Sequence, residues 1–207
     1  MRQFIDIIIR ANNGHYDFER DRGPQRAVQQ NKTGGKQIKY VEIEACPWRI
    51  YGGTFDAQLF AALDDWNASP TKHKLKIRFN AHGSPNYPNM IMGGGGPGNP
   101  DQIDPYSCAR WLWNHGLSHT GSDAWTLTFS MACCHASTKM CGEFANGLHC
   151  FGIHGFKVTG SPHTVALGNG HVNANRGPRM LLGCIPLKGN RYVHWDEANG
   201  SKQAIIG

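Results

Sequence analysis

The chain reads as an α/β protein: a mostly parallel central sheet with helices on both faces. Three observations lead there. Short β-branched or apolar runs alternate with helical stretches in the order strand, strand, helix, strand, helix, strand, helix, strand. Such alternation favours parallel strands joined by right-handed crossovers. The 207 residues suit one domain with a substantial core. A 40% apolar and 17% charged composition is that of a globular chain. With no repeat and no second pattern, residues 1–207 read as one domain.

Phe4 to Arg10 is a β-branched first strand, bounded by Asn12-Asn13-Gly14. Gly14 to Gly35 is polar and reads as a mobile loop with no core of its own. Ile38, Tyr40, Val41 and Ile43 form a second strand, closed by Cys46-Pro47. A helix follows, with Thr54 as its N-cap, a stripe of Phe55, Leu59, Phe60, Leu63 and Trp66, and Pro70 as its stop. Leu75 to Asn80 is the third strand. Met90 to Pro100 is a glycine-rich loop that lacks the Gly-Lys-Ser/Thr ending of a phosphate loop. Asp104-Pro105 opens a helix through Tyr106, Ala109, Leu112 and Trp113, stopped by Gly116. Trp125 to Ala132 is the fourth strand. Ser137 or Thr138 caps a helix carrying Met140, Phe144, Ala145 and Leu148. Phe156 to Gly160 is the fifth strand. Val165–Leu167 and Met180–Ile185 are weaker strands, and Tyr192–Trp195 is a last edge strand.

Several classes are disfavoured. No apolar run approaches the ~20 residues of a membrane helix, so no membrane partner is expected. The start, Met1 to Asp6, carries an acid within its apolar stretch and no cleavage site follows, so no signal peptide is read. A cytoplasmic protein or an effector delivered by a specialised secretion machine fits that pattern. The formal charge of +6 has no nucleic-acid motif beside it, so no nucleic-acid partner is expected. The seven cysteines are scattered rather than arranged as a disulfide framework, and reduced thiols are expected.

The chemistry concentrates at two strand ends. The third strand runs into His82-Gly83, and the fourth into Cys133-Cys134-His135-Ala136-Ser137. Chemistry in such sheets gathers at the carboxyl ends of strands. A histidine and a cysteine on neighbouring strand ends are the minimum equipment for a thiolate nucleophile with an acid–base partner. A helix beginning near Ser137 would place its positive end close to Cys134 and favour the thiolate. The amides of Gly83 and of the nucleophile would hold an oxyanion. Cys133 and Cys134 would point to opposite faces of an extended chain, so one of them reaches His82. Cys133 and Cys134 are both candidate nucleophiles.

These residues resemble the caspase-like (clan CD) cysteine peptidases. Caspases carry a Gln-Ala-Cys-x-Gly signature about 50 residues after their histidine, and His82 precedes Cys134 by 52 positions. Ala132-Cys133-Cys134-His135-Ala136-Ser137 is similar to the Asp-x-Cys-His-Ser-Gly of metacaspases. Phe144-Ala145, Leu148 and Val158-Thr159-Gly160 are similar to the helix and strand after the cysteine in self-cleaving domains of large bacterial toxins. The resemblance spans roughly residues 38 to 160. It departs at Asn80-Ala81 before the histidine and at Ala132 and Cys133, where metacaspases carry an acid. It implies a caspase-like three-layer fold and an endopeptidase with His82 and Cys134 as dyad, acting on a protein or peptide substrate without a cofactor. It also suggests a bacterial effector or toxin domain. Some toxin relatives are switched on by inositol phosphates, so an anionic activator is a further expected partner, with the basic strand face of Lys74, Lys76 and Arg78 as its candidate site. The loop Ser84–Pro100 and the segment Thr159–Gly177 would border the substrate groove. The alternative is a non-catalytic caspase-like module that binds a protein partner.

The remaining residues carry plainer expectations. Cys46, Cys108, Cys141, Cys150 and Cys184 are packing residues. A zinc site among Cys133, Cys134, His135, Cys141, His149 and Cys150 lacks the two-residue spacing that turns thiolates toward one ion, so no metal is expected. His115, His119, His163, His171 and His194 are expected at the surface or in loops. The six tryptophans are expected in core or edge packing. Apart from its candidate role for an anion, the basic strand face is expected to be solvated.

Overall fold

A computed structural model describes residues 3–11, 36–45, 55–69, 73–80, 82–84, 87–92, 102–121, 126–132, 136, 138–160, 165–166, 185–186, 192–196 and 201–206. The strands are β1 (Gln3–Ala11), β2 (Lys36–Ala45), β3 (Lys74–Asn80), β4 (His82–Ser84), β5 (Tyr87–Met92), β6 (Gln102–Ile103), β7 (Leu127–Ala132), β8 (Phe156–Gly160), β9 (Val165–Ala166), β10 (Ile185–Pro186), β11 (Tyr192–Asp196) and β12 (Ser201–Ile206). The helices are α1 (Ala57–Ala68), α2 (Pro105–Asn114) and α3 (Thr138–Cys150). Seven strands form one sheet in the order β12-β11-β8-β7-β3-β1-β2. The pairings along β2-β1-β3-β7-β8 are parallel, and β11 pairs antiparallel with both β8 and β12. The expected mostly parallel α/β sheet is therefore present.

Alternation sets which face is the core. Ile5, Ile7 and Ile9 of β1 lie in register with Leu75, Ile77 and Phe79 of β3, which lie in register with Leu127, Phe129 and Met131 of β7. All nine are buried. A slip of one residue would turn such a row to the opposite face, so register is strongly held. The connections β2–α1–β3, β3–α2–β7 and β7–α3–β8 all step the same way across the sheet. Right-handed crossovers then put all three helices on one face. One apolar cluster duly joins Leu59, Leu63 and Trp66 of α1, Leu112 of α2 and Phe144 of α3 to that nine-residue surface. A second helical layer on the opposite face, as expected from sequence, is not among the described residues.

The helix boundaries follow capping chemistry. Asp104 caps α2: its carboxylate accepts from the Ser107 amide at 2.7 Å, and Pro105 occupies the first turn where no donor is needed. Gly116, with φ of 88°, ends that helix in the left-handed region that glycine tolerates. The N-cap of α1 is Asp56 rather than the expected Thr54, because its carboxylate accepts from the Gln58 and Leu59 amides. The buried stripe of α1 is Leu59, Ala62, Leu63 and Trp66. Phe55 and Phe60 fall off that stripe and are 59% and 41% exposed.

Other elements depart from expectation. The glycine-rich loop expected from Met90 begins as strand: β5 pairs with β4 and β6 in a small antiparallel sheet. Tyr192–Trp195 is not an edge, because β12 pairs along its outer side. The expected Gly14–Gly35 loop lies outside the described residues.

Candidate functional site

The middle of the main sheet is where β3 and β7 pair, and their register runs from Leu75↔Leu127 to Asn80↔Ala132. Both strands therefore finish level at the same edge, on chains spaced about 4.8 Å apart. His82 follows β3 after one residue and opens β4. Cys133 follows β7 directly. Cys133, Cys134 and His135 lie outside the described residues, and the backbone of His82 and Gly83 is described as part of β4. The two strands that precede the expected dyad residues thus end at neighbouring positions on one edge of the sheet.

Aromatic rings pack beneath that edge of the sheet. Phe144 of α3 meets Phe79 of β3 and Phe129 of β7 edge-on, at centroid distances of 5.6 and 5.0 Å. Phe129 in turn meets Phe156 of β8 at 6.0 Å. Edge-to-face contacts of this kind add about 0.5–1.5 kcal/mol each beyond area burial. The helix that follows the candidate nucleophile is thereby fastened across both strands that end at the rim. Its first residue, Thr138, comes four positions after Cys134, which agrees with the expected helix start.

The cysteines divide by environment. Cys108 and Cys141 are buried and free of disulfides, as expected of packing residues. Burial pushes the Cys141 thiol up to about 12. Burial, with the nearby Asp104 carboxylate, pushes Cys108 well above its ordinary value. Neither is a thiolate at neutral pH, so neither competes for the role of nucleophile. Cys150 is exposed, contrary to the packing expectation, because it sits in the last turn of α3 on the side away from Leu148 and the core. Cys141 and Cys150 are nine residues apart on one helix, roughly 13 Å along its axis, so they cannot share one ion. No group of three potential metal ligands occurs among the described residues. Cys46 and Cys184 lie outside the described residues.

His115 and His119, expected at the surface or in loops, lie in the turn and loop that follow α2 and are buried there. His115 accepts the Asp56 amide on Nε2 at 2.7 Å. Its Nδ1 must then carry the hydrogen that it donates to the Trp111 carbonyl at 2.7 Å. One imidazole therefore joins the end of α2 to the start of α1. His119 is buried beside Trp66, at a centroid distance of 5.5 Å. Trp66 and Trp111 are core residues as expected, whereas Trp113 is 47% exposed and stacks on Phe151. His163 and His171 lie outside the described residues, and His194 lies in β11.

The face of the sheet opposite the helices is polar and partly buried. Asp6, Lys76, Thr128 and Lys157 occupy one row across β1, β3, β7 and β8. Arg78 and Lys157 are each only 6% exposed, and Asp6 is fully buried. Arg78 donates to the Asp6 carboxylate at 3.3 Å. Burial raises Asp6 above its ordinary value, with Arg78 and Lys76 pulling the other way. Burial and the neighbouring Arg78 push Lys76 down to about 8, with Asp6 opposing. The expectation of a solvated basic face fails at Arg78, which is buried with the Asp6 carboxylate of β1, while Lys74 and Lys76 keep intermediate exposure. Asp6 between Ile5 and Ile7 was the signal for a buried polar partner.

No family model, curated protein or solved structure matches the chain. No helix among the described residues is long and apolar enough to cross a membrane.

Proposed function

We propose that the protein is a cysteine endopeptidase with a caspase-like three-layer fold, in which Cys134 attacks the scissile carbonyl of a protein or peptide substrate. His82 protonates the leaving amine and positions the thiol. The amides of Gly83 and Cys134 hold the oxyanion of the tetrahedral intermediate. Water then hydrolyses the acyl-enzyme and frees the thiol. The observation that carries this reading is the level pairing of Asn80 with Ala132, which starts the His82 and Cys133-Cys134 segments from adjacent strand ends. The helix start at Thr138 supports it further, since a helix N-terminus near a thiol favours its ionised form. An anionic activator would meet Lys74 and Lys76, the half-buried cations of β3. A bacterial effector or toxin role remains part of the proposal.

The experiment is selective alkylation with iodoacetamide at pH 6, followed by mass spectrometry. One cysteine of the 133–134 doublet should react much faster than free thiol, and Cys134→Ala should abolish that reaction. Incubation with a peptide library, wild type against Cys134→Ala and Cys133→Ala, then identifies cleavage. If no thiol is selectively labelled and no peptide is cut, the protein is instead a caspase-like module that binds a protein partner.

A further inference from the structure

Three cations stand in a line along β3, on the face of the sheet away from the helices. Lys74, Lys76 and Arg78 alternate with the buried Leu75, Ile77 and Phe79. Neighbours in that line are about 7 Å apart along the strand. Arg78 is buried, and its guanidinium donates to the Asp6 carboxylate at 3.3 Å. Lys74 and Lys76 keep intermediate exposure, so solvent reaches them. The register puts Asp6 of β1 beside Lys76 on one side and the uncharged Thr128 of β7 on the other, with Lys157 of β8 one strand beyond. Further out, β2 carries Tyr40 in the same row and Glu42 in the next, and β11 carries Asp196 opposite Lys157. Lys76 is thus a half-buried amine with a cation on either side of it along the strand, and the carboxylate beside it is already bonded to Arg78. Desolvation and a neighbouring cation are the conditions that turn a lysine into a nucleophile. Burial first, then Arg78, push the Lys76 amine down to about 8, with Asp6 opposing and Lys74 adding to the fall. At pH 7.5 about a quarter of such an amine is neutral, against about a thousandth of an ordinary lysine.

We propose that Lys76 is a covalent site for a small anionic aldehyde, in which Lys74 draws in the anion and the Lys76 amine bonds the carbonyl carbon. The amine lone pair attacks that carbon, and the carbonyl π pair moves to oxygen. Protons pass from nitrogen to oxygen, water leaves with the C–O pair, and the nitrogen lone pair closes the C=N bond of an imine. Nothing is oxidised or reduced, and water reverses the step. The imine adds a bond to the charge attraction already assigned to Lys74 and Lys76, and it needs neither His82 nor the cysteine doublet.

The test exposes the full chain to 4-formylbenzoate and, separately, to its neutral methyl ester. Imines are trapped with sodium cyanoborohydride, and the modified lysines are mapped by mass spectrometry. At pH 7.5 formylbenzoate should label Lys76 at least about tenfold faster than any other lysine. The rate should rise between pH 7 and 9 with a midpoint at about 8. Unfolding in guanidinium chloride should abolish the preference for Lys76. Lys74→Gln should reduce the preference for the acid over its ester by about threefold, the effect of one charge about 7 Å away in water. Lys76→Arg keeps the charge and should leave no fast-reacting lysine. Wild-type protein whose Lys76 reacts no faster than its other lysines, or with a midpoint above about 9.5, overturns the proposal without need of any variant. Fast labelling that persists in Lys76→Arg overturns it as well. An ester that labels Lys76 as fast as the acid, or a preference unchanged in Lys74→Gln, overturns the part given to the anion.

Discussion

Replacing both members of the Asp6–Arg78 pair should harm the protein far less than replacing either one. The pair spans β1 and β3 with side-chain exposures of 0% and 7% and a separation of 3.3 Å. Removing one partner leaves the other charge buried, which costs about 3–5 kcal/mol. Burial outweighs the attraction of Arg78 and Lys76 in setting the Asp6 carboxyl, which stands above its ordinary value. The ion pair thus fails to offset the desolvation of its own acid. The double variant Asp6→Leu/Arg78→Met should accordingly be neutral or more stable by about 1–4 kcal/mol, as apolar replacement of buried pairs often is. Equilibrium urea unfolding of wild type, both singles and the double measures this. With a slope of about 2–3 kcal/mol per molar urea, each single should lower the midpoint by roughly 1–2 M. The pH dependence has a definite sign. A carboxyl raised in the folded state stabilises fully below its unfolded value, and that contribution is lost as pH rises through the folded value. Asp6→Leu/Arg78→Met should therefore lose a stretch of falling stability just above about pH 4. Singles costing under about 1 kcal/mol would mean the pair is screened as a surface pair is, and the account of a buried polar face would be refuted.

Three further outcomes are expected. Phe144→Ala should cost about 3–5 kcal/mol in urea unfolding, because Phe144 is fully buried and meets two rings edge-on; Phe144→Leu should cost less than half of that. His115→Phe keeps ring volume but strands the Asp56 amide, so it should cost about 1–3 kcal/mol, read as a lower urea midpoint with an unchanged slope. Lys76, held down to about 8 in the folded state, stabilises most above its unfolded value near 10.5, and that contribution is lost as pH falls through about 8. Stability should therefore rise between pH 8 and 10.5. The full shift corresponds to about 3 kcal/mol, and partial exposure reduces it to about 1 kcal/mol. Lys76→Met should flatten that rise.

The elements readable from sequence were those whose signals are local. Asp104-Pro105 and Gly116 bracket α2 because capping and left-handed geometry depend on a few adjacent residues. The alternation of Leu75, Ile77 and Phe79 with Lys74, Lys76 and Arg78 marks β3 for the same reason. The apolar and β-branched residues of Phe156–Gly160 mark β8 over its full length. The adjacency of the strands Leu75–Asn80 and Leu127–Ala132 was legible too, since strand order and right-handed crossovers constrain it, and β3 pairs with β7.

What only the tertiary structure decided are the pairings between distant residues. Nothing near His115 in the chain announces that its imidazole accepts the amide of Asp56, 59 positions earlier. Nothing near Lys76 and Arg78 says that Asp6 lies across from them and that Arg78 is buried with it. Nothing near Gly160 says that Ala136 fills the space where its side chain would be. Local propensity acts over a turn or a pleat, and the chain alone carries it. Burial, charge pairing and close packing act between surfaces that meet only once the sheet has formed, so they belong to the fold.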